Sequence, residues 1–237
     1  MKKTLMVLGV TIGLFAFGLI HQSSSIQAEE TSVKTSVFNF NYLFTVDDNT
    51  TEIRHRQIVH VGNGIFITDE TILYGDRIKR TDEHFYTEII FKTKELYSSK
   101  SKEVKILGYY ELLTTHNGLA VFKGDSTMIQ VADTAELGTW FSQDDQMYRY
   151  TNTFKKESFD LSTVFEDTIL VDYKCSSKFV LSTELGGPIF NDKGAVLGIL
   201  TPKIDQFDYE TKTRKTGYQL NLASLYQAKT IGEEIDQ

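Results

Sequence analysis

One stretch of the chain combines a glycine turn, a strand that starts at a proline, and a hairpin: Ser182-Thr183-Glu184-Leu185-Gly186-Gly187-Pro188-Ile189-Phe190-Asn191-Asp192-Lys193-Gly194-Ala195-Val196-Leu197-Gly198-Ile199. Glycine adopts the positive φ angles that a tight turn needs, and Gly186-Gly187 stands directly before Pro188. Asp192-Lys193-Gly194 lies between two apolar runs, which is typical of a β-hairpin. The stretch therefore predicts a sharp turn followed by two antiparallel strands.

Similar short apolar runs recur along the chain of 237 residues, which is long enough to bury a core. Many short strands with few helical stretches predict an all-β protein, either a sandwich or a barrel. Asn221 is predicted to cap a C-terminal helix, because apolar residues follow it at helical spacing. The predicted strands are residues 37–46, 57–61, 64–68, 71–74, 85–92, 104–113, 119–123, 138–141, 146–154, 167–173, 179–182, 188–190, 195–200 and 218–220.

Residues 1–28 have the pattern of a secretory signal peptide. Lys2-Lys3 precedes an apolar run at residues 4–20, and Ile26-Gln27-Ala28 fits a cleavage site. The alternative is an uncleaved membrane anchor, since the apolar run approaches the length that spans a bilayer. The sequence thus predicts an exported, extracellular protein with no stable membrane insertion after signal cleavage.

Charge and cysteine content narrow the function classes. The formal net charge is −7, and no lysine- or arginine-rich block stands out, so nucleic acid is not a predicted partner. Cys175 is the only cysteine, and an exported protein without disulfides fits a bacterial origin. It lies in a polar run at residues 174–178 and is not predicted to be a catalytic thiol. No internal repeat, metal-ligand cluster or phosphate-binding glycine loop is found, so no metal or cofactor is predicted.

Three segments of the chain, residues 64–78, 117–123 and 182–199, share one resemblance. The first is a Gly-apolar strand followed by Thr-Ile-Leu-Tyr-Gly-Asp-Arg-Ile, the second is Asn-Gly-Leu-Ala-Val-Phe-Lys, and the third contains Leu-Gly-Gly-Pro. In this order they resemble the histidine, aspartate and serine segments of trypsin-like serine peptidases. The match places Arg77 at the histidine, Gly118 at the aspartate and Leu185 at the nucleophilic serine.

The resemblance covers about residues 57–235 and is closest to the disulfide-free glutamyl endopeptidases and related exported peptidases of Gram-positive bacteria. It implies two six-stranded antiparallel β-barrels with a C-terminal α-helix. The N-terminal barrel would occupy residues 29–125, and the C-terminal barrel with the helix would occupy residues 126–237. Together they would form one peptidase domain.

The matched positions lack the chemistry of acyl transfer, which needs a nucleophilic oxygen, an imidazole base and a carboxylate that orients the base. Leu185 has no nucleophilic atom, and Gly118 has no side chain. A guanidinium at Arg77 stays protonated near neutral pH and cannot serve as the base. The resemblance therefore implies a pseudoprotease rather than an active enzyme.

The oxyanion hole and the substrate-binding strand are also altered. Thr183 stands where the family has a glycine, so positive φ is penalised there, and Glu184 replaces the aspartate and would oppose a developing oxyanion. The family pairs a Ser-x-Gly segment with the substrate backbone. Here the segment is Thr201-Pro202-Lys203, and Pro202 has no N–H to donate.

A displaced catalytic site would have to use serine and histidine residues outside the matched positions. His116 lies two residues before Gly118, and a surface position at a strand end is favoured for it. Ser182 is predicted to lie on a strand, away from the loop tip. Arg77 is expected to pair with Glu184 across the former active-site cleft. The alternative is that Arg77 has no such role and arose by random substitution after activity was lost. The other histidines considered are His55, His60 and His84.

The sequence leaves three functions open. The leading one is a secreted, monomeric, inactive peptidase homologue that binds a host protein, a cell-surface protein or a related active protease. The alternatives are an active serine endopeptidase with a displaced site and a structural or adhesive surface protein. Residues 97–103 and 205–214 are the predicted contact loops.

Overall fold

The computed structural model describes residues 36–47, 50–74, 80–92, 102–139, 146–151, 155–165, 168–173, 182–208 and 212–237. Within these ranges the chain forms two antiparallel sheets and a C-terminal helix. The predicted all-β class with a barrel and a final helix is confirmed. The predicted signal segment and Cys175 lie outside the described residues.

The first sheet is a closed barrel with the strand order β1-β2-β3-β6-β5-β4. The run β4-β1-β2-β3 within it is a Greek key. Alternate residues of β1 point into the barrel, where Phe40, Tyr42 and Phe44 are buried among other aromatic rings. Its strands are β1 (Val37–Asp47), β2 (Thr50–His60), β3 (Ile65–Asp69), β4 (Thr81–Lys92), β5 (Lys102–His116) and β6 (Leu119–Gly124).

The second sheet has the order β11-β10-β7-β8-β9-β13-β12 and is open in the described residues. The quoted stretch supplies its β10–β11 hairpin, as predicted, with the Asn191 side chain accepting hydrogen bonds from the Lys193 and Ala195 backbone N–H groups. Its strands are β7 (Met147–Tyr150), β8 (Lys156–Phe165), β9 (Thr168–Tyr173), β10 (Pro188–Phe190), β11 (Val196–Ile199), β12 (Ile204–Asp208) and β13 (Thr213–Leu220).

Two helices complete the described elements. Helix α1 (Ser126–Val131) lies in the segment between the sheets, and the Asp125 side chain caps it by accepting from the Met128 N–H at 2.8 Å. Helix α2 (Leu222–Ile235) confirms the predicted C-terminal helix. The predicted cap is wrong in its chemistry, because the Asn221 side chain makes no capping bond and instead accepts from the Ile199 N–H at 2.8 Å.

Several predicted local structures are wrong. The predicted strand 71–74 is a 3₁₀ turn, Glu70–Leu73, because the Tyr74 N–H donates to the Thr71 carbonyl and the buried Ile72 anchors the turn. In the predicted strand 138–141, the described residues 138 and 139 belong to no strand, because this segment pairs with β11 only through an isolated bridge between Leu137 and Val196.

The two predicted contact loops also differ from expectation. Residues 205–208 and 213–214 belong to the β12–β13 hairpin, whose strands pair from Ile204 with Gly217 to Asp208 with Thr213. Residues 102 and 103 begin β5, and residues 97–101 lie outside the described ranges. Neither segment is therefore a loop throughout.

An apolar cluster lies between the barrel, the second sheet and helix α2. Val59 and Ile67 of the barrel meet Tyr148 and Phe190 of the second sheet, and Leu225 of the helix joins them. All five side chains are at most 6% exposed. Burial of this shared surface fixes the second sheet against β2 and β3, where the candidate site lies.

Candidate functional site

The candidate site is the segment Ser182–Glu184 and the three residues after it, which run beside the barrel before the chain enters β10 of the second sheet. Ser182–Glu184 form a second 3₁₀ turn, and β10 begins at Pro188. The Gln57 N–H of β2 donates to the Leu185 carbonyl at 2.8 Å, and the Gly186 N–H donates to the Leu200 carbonyl at 2.7 Å. We call residues 182–187 the bridging loop, because its backbone is bonded to both sheets.

Glycine is required at one position of the bridging loop and is closely packed at the next. Gly186 has φ +82, and a Cβ there would overlap the Thr68 hydroxyl and the Gln57 carbonyl oxygen. A Cβ on Gly187 would overlap the Gln57 side-chain oxygen. The Thr68 hydroxyl donates to the Gln57 carbonyl at 2.5 Å, so the surface opposite the glycines is itself held in place. The predicted sharp turn therefore exists because the loop approaches β2 and β3 closely.

Leu185, at the position matched to the nucleophile, is used for packing. Its side chain is half-buried and contacts the apolar cluster of the second sheet. Ile189 and Leu197 of that cluster are fully buried. The position therefore holds an apolar side chain directed to the interior of the second sheet.

Glu184 belongs to a buried ionic network. Its carboxylate accepts from the Arg149 guanidinium at 2.9 Å, and the same guanidinium nitrogen donates to Glu157 at 3.0 Å. Arg149 and Glu157 lie opposite each other on β7 and β8. The described partner of Glu184 is thus Arg149, whereas Arg77, the predicted partner, lies outside the described residues.

The other residues matched to the oxyanion hole and the substrate-binding strand have separate environments. The Thr183 hydroxyl is buried and has no hydrogen-bond partner in the described part of the chain, so no base there activates it. Thr201, Pro202 and Lys203 connect β11 to β12 and belong to neither strand. The Lys203 ammonium lies 5.2 Å from the centre of the Tyr218 ring. Pro202 and Lys203 are exposed, and Thr201 is half-buried.

Gly118 lies in the turn between β5 and β6. Asn117 and Gly118 both have positive φ, +48 and +83, which is the backbone of a type I′ hairpin turn. The Gly118 carbonyl accepts from the Glu70 N–H at 3.0 Å, which attaches this turn to the first 3₁₀ turn. A carboxylate at this position would therefore need a strained backbone as well as a side chain.

Two of the three matched segments meet at one end of β3. Gly186 of the bridging loop contacts Thr68, while the Gly118 turn is bonded to Glu70, two residues further along. Asp69 lies between these two contact points and is fully buried. The structure thus brings the predicted aspartate and serine segments to the same strand end.

Asp69 is a buried acid that sequence reasoning missed. The Arg56 guanidinium lies 3.4 Å from one carboxylate oxygen, and the Thr71 hydroxyl donates to the same oxygen. The second oxygen has no hydrogen-bond partner among the described residues. Burial raises the pKa of Asp69, and the hydrogen bonds from Thr71 and the charge of Arg56 oppose that rise. A sequence signal was present, because Asp69 directly follows the buried apolar run of β3.

Three of the four described histidines have hydrogen-bond partners. His60 is buried; its Nδ1–H donates to the Asp133 carbonyl at 3.0 Å, and its Nε2 accepts from the Gly64 N–H at 3.3 Å. His116 lies at the end of β5, where its ring contacts Gln227 of helix α2 at 3.0 Å. His55 lies 2.6 Å from the Asn41 side chain, and His84 is exposed on β4.

The prediction for Ser182, three residues before Leu185, is wrong. It opens the second 3₁₀ turn and is not on a strand, because the chain turns there to carry Glu184 to the buried Arg149. Arg149 was missed as a site residue, although a charged residue within the buried strand Met147–Tyr150 was a usable signal. The sequence alone could not show that its partners come from residues 157 and 184.

Among the described residues, the His, Cys, Asp and Glu side chains form no group of three that could hold a metal ion. None of the helices in this part of the chain has both the length and the apolar character needed to cross a bilayer.

The fold and the candidate site define a mostly β protein with a closed Greek-key barrel, a second sheet and a bridging loop that carries leucine at its centre. No protein-family model and no curated protein matches the sequence.

Proposed function

We propose that this chain is an exported, catalytically inactive homologue of the trypsin-like serine endopeptidases that acts by binding another protein. One observation carries the proposal: Leu185 occupies the matched serine position and packs into the apolar cluster of the second sheet. A loop of that shape without a nucleophile keeps a peptidase's framework while removing its first chemical step.

The proposal includes closure of the second sheet into a barrel. Its two flanks approach each other where Asn221, directly after β13, exchanges hydrogen bonds with Ile199 of β11. A Cβ on Gly198 would lie 2.8 Å from the Asn221 side-chain oxygen, so the approach is close. An asparagine amide can replace one rung of a strand ladder, because it carries both a donor and an acceptor.

Convergence of the matched segments supports the same reading. Gly118 and the bridging loop both border the end of β3, as the aspartate and serine segments of one active site must. The rings of His60 and His116 are bonded to structural partners, and this argues against either of them as a displaced catalytic base. Protein binding remains the function that a peptidase framework without its nucleophile supports best.

The test uses the chain from residue 29 onward, purified without its signal segment. We expect no labelling by a fluorophosphonate probe and no turnover in a broad peptide-cleavage screen. Leu185→Ser is the matched variant, and we expect it to remain inactive because no imidazole and no carboxylate accompany the new hydroxyl.

A pull-down with the same chain, from host fluids and from a mixture containing related active proteases, is expected to retain a specific protein. The proposal fails if the wild-type chain cleaves a polypeptide with true turnover and loses that activity when one serine or histidine is replaced. Recovery of the uncleaved chain in the membrane fraction, without a retained protein, would instead favour the adhesive or structural alternative.

A further inference from the structure

The chain contains two Asn-Gly pairs, Asn63-Gly64 and Asn117-Gly118. In such a pair the backbone nitrogen of the glycine can attack the side-chain amide carbon of the asparagine, because glycine has no Cβ to shield the nitrogen or to restrict rotation of the chain. The two pairs have similar φ angles, +51 and +73 in the first and +48 and +83 in the second. Their reactivity in the folded chain is therefore expected to depend on their surroundings.

The first pair is held in place by several contacts. The Asn63 side-chain amide donates to Glu233 of helix α2 at 2.6 Å. The Gly64 nitrogen, which would have to attack, is buried and donates its hydrogen to His60 Nε2 at 3.3 Å. A Cβ on Gly64 would lie 2.8 Å from the Ile129 side chain, so this glycine is closely packed. Movement of the Gly64 nitrogen toward the Asn63 side chain would break these contacts.

The second pair forms the turn between β5 and β6 and is much less restrained. Asn117 is exposed, and its side-chain nitrogen lies 3.0 Å from Nε2 of His116, the residue before it. No hydrogen-bond acceptor for the Gly118 N–H lies in the described part of the chain. A Cβ on Gly118 would meet nothing within 4 Å, so the attacking nitrogen has room to move.

From this contrast we propose that Asn117 is a site of spontaneous deamidation in the folded protein, whereas Asn63 is protected. The Gly118 nitrogen loses its proton to solvent and bonds to Asn117 Cγ, the Cγ–Nδ2 bond breaks, and the amide nitrogen leaves as ammonia with a proton from water. Water then opens the resulting succinimide ring. Cleavage of the ring bond at Cγ gives aspartate, and cleavage at the main-chain carbonyl carbon gives isoaspartate, in which the chain continues through Cγ.

The modification changes the turn in two ways. The product carries a negative charge beside His116, where the neutral amide stood. Isoaspartate also adds a carbon to the main chain between β5 and β6, which displaces the Gly118 carbonyl from the Glu70 N–H that donates to it. This bond attaches the turn to the first 3₁₀ turn, so we expect the attachment to loosen. None of this chemistry depends on whether the chain is an inactive peptidase.

The first test uses one pair as the control for the other, because trypsin places them on separate peptides, residues 57–77 and 106–123. The chain from residue 29 onward is incubated at mildly alkaline pH in water enriched in the heavy oxygen isotope, once folded and once in urea. Mass spectrometry follows the label that each asparagine takes up. We expect Asn117 to react about tenfold faster than Asn63 or more in the folded chain, because reaction at Asn63 needs local unfolding. In urea the two rates should be similar.

The second test examines the attacking group and the consequence. Gly118→Ala places a Cβ beside the attacking nitrogen and should slow conversion of Asn117 severalfold, while Asn63 in the same molecule reports any general loosening of the fold. Amide hydrogen exchange at Glu70, measured before and after conversion of the wild type, should be faster in the isoaspartyl form.

Equal conversion of Asn63 and Asn117 in the folded chain overturns the proposal. So does an Asn117 that stays intact in the folded chain over the time in which it reacts in urea. Conversion that Gly118→Ala does not slow would show direct hydrolysis of the amide and overturn the cyclisation step. Unchanged exchange at Glu70 in the isoaspartyl form would overturn the expected loosening of the turn.

Discussion

At the scale of single residues, two glycines share one backbone conformation and differ in their surroundings. Gly186 has φ +82 and Gly118 has φ +83. A Cβ on Gly186 would overlap Thr68 and Gln57, whereas a Cβ on Gly118 would meet nothing within 4 Å. A comparison of substitutions at these two glycines therefore separates the free-energy cost of a left-handed backbone from the cost of a steric clash.

Replacing each of these glycines by alanine tests that separation. Gly118→Ala is expected to lower the free energy of unfolding by about 1–2 kcal/mol, the cost of an L-residue at positive φ. Gly186→Ala adds the clash and is expected to cost at least about 2 kcal/mol more, since the opposing atoms belong to the buried β2–β3 surface. Urea denaturation of both variants measures the difference. Equal losses would show that the bridging loop does not lie against β2 as described.

His60 makes the stability of the fold depend on pH. Burial lowers the pKa of His60, because its ring is removed from water, and the hydrogen bond to the Asp133 carbonyl opposes that fall. In the unfolded chain a histidine takes up a proton near pH 6.5. The unfolded state therefore binds more protons just below that pH, and stability falls as the pH decreases through this window.

The variant His60→Gln should show a shallower loss of unfolding free energy between pH 7.5 and 5.5 than the wild type. The difference between the slopes is at most about 1.4 kcal/mol per pH unit for one proton. Asp69 changes the unfolding free energy in the opposite direction, because its raised folded-state pKa favours proton binding by the native state. The wild type and the variant both contain Asp69, so its contribution cancels when one slope is subtracted from the other. Identical slopes in denaturant titrations at several pH values would contradict the role of His60.

At the scale of elements, helix α2 is the main attachment between the chain's end and the barrel. Leu225, Ala228 and Gly232 form its buried face, and a Cβ on Gly232 would lie 2.8 Å from the Val121 side chain. Tyr226, the neighbour of Leu225, is 41% exposed. The helix is thus held by one apolar stripe rather than by its cap.

Leu225→Ala should therefore lower the free energy of unfolding by about 2–5 kcal/mol, the usual cost of a cavity at a fully buried leucine. Tyr226→Ala removes a larger side chain one position away and should cost less than about 1 kcal/mol. Thermal and urea unfolding of the two variants compare the helix faces. A reversed order would mean that the helix docks through its other side.

Elements with strong apolar alternation could be predicted, while short or polar ones could not. The aromatic alternation of β1 predicted its bounds to within a residue, and the Leu-Ala-Val-Phe run predicted β6. Strand β8 was missed because Lys, Glu, Ser and Asp dominate its first half, and β12 because Ile-Asp-Gln-Phe-Asp is mostly polar. Such strands form because neighbouring strands supply hydrogen bonds, which local sequence does not encode.

The candidate site follows the same rule. Leu185 and its glycine turn could be located from the sequence because turn residues carry a local signal. The ionic network of Glu184 could not, since Arg149 and Glu157 meet it only after three separate segments have folded together. Helix α1, with six residues, was too short to show a helical period.

At the scale of the whole molecule, the barrel and the second sheet share one apolar cluster. The cluster between them contains residues of β2, β3, β7, β10 and helix α2. Separation of the two sheets would expose all of this apolar surface at once, so the two halves are expected to unfold together.

A fragment of residues 29–125, the predicted N-terminal barrel alone, should therefore fail to form a stable native fold. It retains the barrel's own strands but exposes Val59, Ile67 and Val121, which the second sheet and helix α2 cover in the full chain. Proton–nitrogen correlation spectra of the fragment and the full chain check this. Dispersed barrel resonances in the fragment would show that the first sheet folds on its own.

The bond between Gln57 and Leu185 has a practical consequence. Because the Gln57 amide proton is buried and held by an acceptor from the other half of the molecule, it can exchange with deuterium only after that bond breaks. This single amide is therefore a built-in spectroscopic probe of how often the bridging loop lifts from the barrel. Its exchange rate, followed while ligands are added, would reveal any molecule that loosens or tightens the contact between the bridging loop and β2.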